Sequence, residues 1–206
     1  SRTGPLLPSR ERMPDQLDIF GAAAPPPAPA LPEGFRHAPD VIAREVEASL
    51  LAWMQELPFR EFQFHGYVGN RRTVSFGWRY DFGEERLHRT DDMPAILLPV
   101  RESAARFAGL APKTLQQALV TEYDAGAGIG WHRDKAMFGE VVGISLRTAC
   151  RFRLRRRRDS GWDRVTLTAE PRSAYLLSGP ARTEWEHSIP AVEELRYSIT
   201  FRNLRT

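Results

Sequence analysis

The residues best suited to chemistry begin in Gly128–Lys135, GIGWHRDK, where His132 and Asp134 stand two apart behind a glycine-rich turn. In an extended strand, residues i and i+2 point to the same face, so an imidazole nitrogen and a carboxylate oxygen can share one ion. The same spacing describes many solvated surface pairs and decides nothing alone. A third ligand is available far downstream in EWEHSIP, where His187 can arrive on a different strand. Two histidines and one carboxylate fill three coordination positions and leave the others open. Fe(II) oxygenases need that arrangement, and zinc hydrolases also use it. The ligand types leave oxidation and hydrolysis both open.

The C-terminal segment RYSITFR separates them. Arg196, Ser198, Thr200 and Arg202 share one face by period two, and Tyr197, Ile199 and Phe201 share the other. A half-buried strand normally turns its polar face to water. Here that face carries two arginines shortly after the third ligand, and arginine grips carboxylates with a permanently charged fork. Two guanidiniums behind an ion with open positions suit a dicarboxylate, one end on the metal and the other anchored at the pocket floor. 2-Oxoglutarate has that form, which favours oxidation.

The elements that position these residues follow from the apolar pattern. APDVIAREVEASLLAWMQELPF places Ile42, Val46, Leu50, Trp53 and Met54 at helical spacing, with Asp40 as the expected N-cap. A second helix is expected over Met93–Gly109, with Pro94 in its first turn. Between them, Arg71–Gly83 reads as strand with a turn. From Leu115 onward, short alternating runs over 117–123, 141–154, 164–168, 173–178, 184–189 and 195–203 have the rhythm of a β-sandwich or barrel. Two helices in front of a β-core is the expected architecture.

The chain's 206 residues suit one ordinary folded domain, and 42% hydrophobic with 27% charged residues are globular values. A formal net charge of +3 permits a polyanionic partner without demanding one. The single cysteine, Cys150, excludes an internal disulfide and a cysteine-based zinc cluster. It suits a reducing interior and an apolar strand environment. With no membrane-spanning apolar run and no leader pattern, the expected location is cytoplasmic.

Residues 1–34 read as a disordered tail, ending in the proline- and alanine-rich spacer Ala22–Gly34; the folded domain is expected over 35–206. Met13 is a candidate start. Within the tail, QLDIF (Gln16–Phe20) resembles the pentapeptide by which bacterial proteins dock on the DNA polymerase sliding clamp.

Three segments in order carry a wider resemblance: Leu119–Lys135 (LVTEYDAGAGIGWHRDK), Ser178–Ile189 (SGPARTEWEHSI) and Arg196–Arg202. From about Arg71 to its end the chain resembles the AlkB family of Fe(II)- and 2-oxoglutarate-dependent dioxygenases, in a bacterial setting. The resemblance implies a mostly β fold, a double-stranded β-helix (jelly-roll) core with N-terminal flanking α-helices. It implies Fe(II) on His132, Asp134 and His187, and 2-oxoglutarate held by Arg196, Arg202 and Tyr123. Thr121 and Ser198 stand where some members have asparagine, and both remain polar. Ala136 stands where some members carry an acidic residue that reads a base's amino group. The implied activity is oxidative dealkylation of N-alkylated nucleobases in DNA, releasing succinate, carbon dioxide and formaldehyde. The alternatives are an RNA- or tRNA-modifying dioxygenase, a protein demethylase and, from another class, a non-catalytic clamp-tethered binding module.

A base must leave a duplex to reach such a metal, or come from a single strand. Phe76, Trp78 and Tyr80, expected on one strand face before the core, are candidates to stack on it, as are Trp185 and Arg133 beside the ligands. Trp131 should face away from the metal into a core. The run Arg151–Arg158 (RFRLRRRR) reads as a strand entering a basic hairpin tip able to clamp phosphates, with Arg71, Arg72 and Arg79 in support. His37, His65 and His88 are expected to be surface or loop histidines without metal-spaced partners.

Overall fold

The structure, a computed structural model, describes residues 30–64 and 67–206. The clamp-like pentapeptide, Met13, most of the spacer and His65 lie outside the described residues. The chain begins with strand β1 (Phe35–Ala38), helix α1 (Arg44–Met54), β2 (Arg60–Phe64), β3 (Tyr67–Phe76) and the hairpin β4 (Trp78–Asp81) with β5 (Arg86–Arg89). Helix α2 (Leu98–Ala108) follows, then β6 (Gln117–Tyr123), β7 (Ile129–His132), β8 (Phe138–Leu146), β9 (Cys150–Arg157) and β10 (Trp162–Ala169). The chain closes with β11 (Ala174–Leu177), the short helix α3 (Gly179–Thr183), β12 (Glu186–Ile189) and β13 (Arg196–Leu204). No helix among the described residues is long and apolar enough to cross a membrane.

Two antiparallel sheets form the jelly-roll. The larger runs β1-β11-β8-β13-β6-β3-β2 and the smaller β10-β9-β12-β7. One face of the large sheet, with Val120, Val142, Ile144, Ile199 and Phe201, packs under α1 and α2 through Leu50, Met54, Val100 and Ala104. A second apolar cluster, with Phe152, Leu154, Val141 and Leu177, fills space between the sheets. β13 pairs with β6 and β8 along its two edges, and α1 and α2 cover its apolar face. Its polar face therefore points between the sheets rather than to water: Arg196 is 1% exposed, Ser198 6% and Thr200 7%.

Four expectations change. Asp40 is not the N-cap of α1; that position is Ala43, without a side-chain cap. Asp40 instead takes a positive φ of 49° in the approach to the helix. The expected strand 141–154 is two strands, because Arg147 turns the chain at φ 69°. The turn lacks glycine or proline and is held by tertiary bonds, the Arg147 amide donating to Glu47 (3.1 Å) and its guanidinium to the Leu195 carbonyl (2.7 Å). Gly77, at φ 78°, breaks the strand over 71–83, and a Cβ there would collide with the Gln116 carbonyl. That break separates Phe76 from Trp78 and Tyr80. Phe76 is buried in the core beside Trp53, ring centroids 5.9 Å apart, and offers no face to a base.

Gly143 on β8 serves a different need: Tyr175 of β11 lies across it, so an added Cβ would enter the phenol ring. Gly143→Ala is expected to lower stability by about 1–3 kcal/mol, the usual cost of overpacking. Urea unfolding checks this, and an unchanged midpoint would show that Tyr175 yields freely.

Candidate active site

The candidate ligands meet because β12 is sandwiched between β7 and β9 in the small sheet, and its register places His187 directly opposite His132. The two imidazoles face the interior with ring centroids 4.2 Å apart. Asp134, two residues beyond His132, returns a carboxylate to the same point. Its Oδ1 lies 3.8 Å from His132 Nε2 and 3.6 Å from His187 Nε2. His132 Nδ1 sits 2.8 Å from the Gly130 carbonyl. A carbonyl only accepts, so Nδ1 carries the proton and the Nε2 lone pair faces the shared centre. His187 stacks on Phe152 at 5.5 Å, which fixes its ring plane.

Charge at this centre is arranged for a cation. Burial alone would raise the Asp134 pKa, but the Arg202 guanidinium, then His187 and His132, hold it well below the usual carboxylate range. Burial, and secondarily His132, pushes His187 down to about 3, so it is neutral at pH 7. Burial also lowers the pKa of His132, against the pull of Asp134. The site thus presents one anionic and two neutral donors, the protonation states a divalent metal requires.

The two arginines of β13 take different positions. Arg202 donates through Nε to Asp134 Oδ2 (2.5 Å) and through Nη1 to Gln117 (3.1 Å). It occupies one carboxylate oxygen and leaves Oδ1 turned toward the imidazoles. Arg196, opposite Tyr123 on β6, bonds Ser145 Oγ through Nε (3.2 Å) and Nη2 (3.0 Å). Its Nη1 is buried and, among the described residues, has no hydrogen-bond partner. An orphaned donor on a buried cation is costly, and an anion placed there would satisfy it. Thr121 and Ser198, paired across β6 and β13, bring further polar side chains to this interior. The donor set and the orphaned guanidinium fit a dicarboxylate beside a metal.

Residues 34–202 match the 2OG-Fe(II) oxygenase superfamily. The chain belongs to that superfamily. An Arabidopsis thaliana protein, "Alkylated DNA repair protein ALKBH8 homolog", is 30% identical over 164 residues, covering 67% of this chain and 47% of that protein. The uncharacterized protein L905 of Acanthamoeba polyphaga mimivirus is 29% identical over 101 residues, covering 43% of this chain and 48% of its own. The chain therefore spans about half the length of these curated relatives. Among solved structures, OsALKBH1 superposes with a TM-score of 0.64 at 16% identity, covering 84% of this chain and 100% of that one. A Pseudomonas putida prolyl-4-hydroxylase superposes at 0.54 with 13% identity, covering 84% and 94%. As a member of the 2OG-Fe(II) oxygenase superfamily, the chain has Fe(II) and 2-oxoglutarate as its metal and cosubstrate.

The β4–β5 hairpin reaches the turn after Asp134. Lys135 lies over the rings of Tyr80 (5.4 Å) and Phe82 (5.5 Å), which meet edge to face at 4.8 Å. Tyr80 is thus beside the ligand segment, and Phe82, which sequence reasoning passed over, is 40% exposed there. Trp78 packs under Arg89 at 5.3 Å in the same hairpin. Trp185 is buried in the second core cluster beneath Arg156, so it presents no open face. Arg133 is exposed and donates to the Thr183 carbonyl at 3.4 Å.

Other expectations need revising. Trp131 does face away from the metal, but into a layer of arginines rather than a core. Arg71 is buried and donates to the Gly128 carbonyl (3.4 Å) in the loop before β7, so it is not a surface clamp. Arg72 is bound to Glu122 at 2.7 Å, and Arg79 pairs with Asp81 at 3.8 Å. At the basic hairpin, Arg156 and Arg158 are both tied to Asp163. His88 has company: its Nε2 meets Glu84 at 2.7 Å, with Asp81 nearby, in a turn where Glu84 also binds Arg86. His37 has its Nε2 buried with no hydrogen-bond partner among the described residues.

Three residues that sequence reasoning missed support the site. Tyr175 crosses the interior, its phenol pKa raised by burial and then by the charges of Tyr123 and Asp134. Arg182 of α3 donates to the carbonyls of Lys135 (2.7 Å), Phe138 (2.8 Å) and Gly139 (2.8 Å), and so pins the turn that follows Asp134. Gln117 props Arg202. Each depends on contacts between distant segments, and local sequence offers no signal for them.

Proposed function

We propose that this chain oxidatively dealkylates N-alkylated nucleobases in DNA, with His132, Asp134 and His187 as the Fe(II) ligands. Arg196 receives one carboxylate of 2-oxoglutarate, with Thr121, Tyr123 and Ser198 around it, and Arg202 holds the metal-proximal end together with Asp134. The observation that carries the cosubstrate assignment is the buried Nη1 of Arg196, which has no hydrogen-bond partner among the described residues. Iron with 2-oxoglutarate and oxygen supplies oxidation of a C–H bond, releasing carbon dioxide and succinate; a hydroxylated N-methyl group then leaves as formaldehyde.

The chain's own residues bind and orient. Arg202 restricts Asp134 to one free oxygen, and His132 and His187 present lone pairs from opposed strands. Tyr80 and Phe82, held by Lys135, form an aromatic wall at the mouth on which an extruded base can stack. Nucleic acid is favoured as substrate by this wall and by the Arabidopsis relative, whose name specifies alkylated DNA repair. The proposed domain is 35–206, in a reducing, cytoplasmic setting that a lone buried cysteine suits. Gln16–Phe20 is proposed to tether it to the sliding clamp; a tail-peptide pulldown of the clamp tests this.

The deciding experiment loads the protein with Fe(II) anaerobically, then aerates it with N-methylated single-stranded DNA, duplex DNA, tRNA or a methylated peptide. Base-resolved mass spectrometry is expected to show methyl loss from DNA with matching formaldehyde. Methyl loss confined to tRNA or to the peptide would replace the DNA reading.

A further inference from the structure

The small sheet has an outer face that the iron site does not use. Along β9, Cys150, Phe152 and Leu154 are buried, while Arg151, Arg153, Arg155 and Arg157 alternate with them and point outward. Register adds Trp162 opposite Arg157 and Arg164 opposite Arg155 from β10, and Trp131 stands on the outer side of β7. Three guanidiniums lie over Trp131: Arg155 at 4.3 Å, Arg153 at 5.0 Å and Arg164 at 5.9 Å. Two lie over Trp162: Arg155 at 4.1 Å and Arg157 at 5.2 Å. Among the described residues of this face, the facing carboxylate is Glu186, 3.4 Å from Arg155.

An ordinary solvated strand face mixes its charges, and like charges directly opposite each other destabilise a sheet. Here Arg155 and Arg164 are cross-strand partners of the same sign. The tryptophan rings lie against the guanidiniums but carry no charge, and Glu186 offsets only part of the cluster's positive charge. Cations interleaved with aromatic rings are the composition that tracks a nucleic-acid backbone. The four strands span about 14 Å at about 4.8 Å per gap, comparable to four stacked nucleotide steps. Trp131 and His132 are consecutive on the edge strand β7 and face opposite ways. The border of this face is therefore one residue from a metal ligand.

We propose that the outer face of the β10-β9-β12-β7 sheet is a docking platform for the phosphate backbone of a nucleic-acid strand whose target base occupies the iron site. The platform deepens the nucleic-acid reading above and rests on it. Its cations contribute affinity without base specificity, and they lengthen the footprint from a flipped base to several nucleotides.

The test uses the full chain carrying Arg151→Gln, Arg157→Gln and Arg164→Gln together. All three are exposed and lie away from the ligands, so folding and the iron site are undisturbed. Binding of fluorescein-labelled, unmodified single-stranded DNA and RNA of about 20 nucleotides is measured across salt concentration, where each lost single-strand phosphate contact removes about 0.7 from the slope. The expected result is a slope of log Kd against log salt lowered by about 2, and a Kd raised at least about tenfold at 0.1 M salt. Demethylation of a methylated trinucleotide stays at the wild-type rate while the KM for the long strand rises. Wild-type Kd and slope in the triple variant overturn the platform, even where trinucleotide demethylation shows the substrate reading to be right. Poly-L-glutamate competing as well as the DNA strand also overturns it, in favour of an acidic protein partner. Salt-dependent binding lost in the variant, without demethylation of any nucleic acid by the wild type, upholds the backbone contact and sinks the substrate reading instead.

Discussion

His132→Ala abolishes Fe(II)-dependent succinate production and leaves the fold standing. Of the three proposed ligands, His132 has the most accessible side chain, 31% exposed against 9% for His187 and 4% for Asp134. Its truncation leaves little cavity and no buried charge unpaired. Asp134→Ala is a poorer experiment, because Arg202 would remain buried without its partner at a cost of about 3–5 kcal/mol. Loss of activity there would mix unfolding with loss of the metal. Removing even a group that only supports a ligand costs 10–100-fold in affinity or activity, so a direct ligand is worth on the order of a thousandfold or more. Manganese titration, succinate release and a thermal melt on the same sample separate the effects. The expected pattern is no detectable succinate, weak metal binding and a melting point within a few degrees of wild type. Succinate release at the wild-type rate would refute the assignment of the metal centre.

What sequence made legible was chemistry that residue type and short spacing determine. The period-two pattern of Arg196–Arg202 was readable as polar on one side and apolar on the other; its burial follows because α1 and α2 cover the apolar side and the polar side faces the metal-centre residues. The His132–Asp134 pair was readable because a strand puts i and i+2 together. The convergence of His187 rests on cross-strand register, which no local pattern encodes; only the types of the three residues pointed to it. The misses share a cause. Phe76 and Trp78 looked like one strand face until Gly77 took a left-handed turn packed on Gln116. The turn at Arg147 is held by Glu47 and Leu195, respectively 100 and 48 residues away in sequence. Trp131 was expected in a core because it neighbours His132 and so faces away from the metal, yet the layer above it is arginine. In each case a contact between distant segments overrode the local preference.

The remaining large effect distinguishes the two arginines of β13, which sequence alone treats as a matched pair. Arg196→Gln is expected to raise the KM for 2-oxoglutarate by at least about 100-fold, since two charge-assisted bonds of about 1.5–3 kcal/mol each are lost. Metal affinity should be unchanged, because Arg196 bonds Ser145 and not a ligand. The fold should hold, since the change removes a buried charge that is only partly satisfied. Arg202→Gln acts on both functions, because its guanidinium holds Asp134 Oδ2. Metal affinity there should fall about 10–100-fold as the carboxylate loses its support. A pH signature follows. Arg202 is the main force holding the Asp134 pKa down against burial, so its removal raises that pKa. Protonation then competes with metal as pH falls, and the acid limb of metal binding moves to higher pH in Arg202→Gln but not in Arg196→Gln. Manganese titrations across mildly acidic pH, alongside 2-oxoglutarate saturation curves, read both effects. Identical behaviour of the two variants would mean that the arginines share one role, and that the division between cosubstrate anchor and ligand support is wrong.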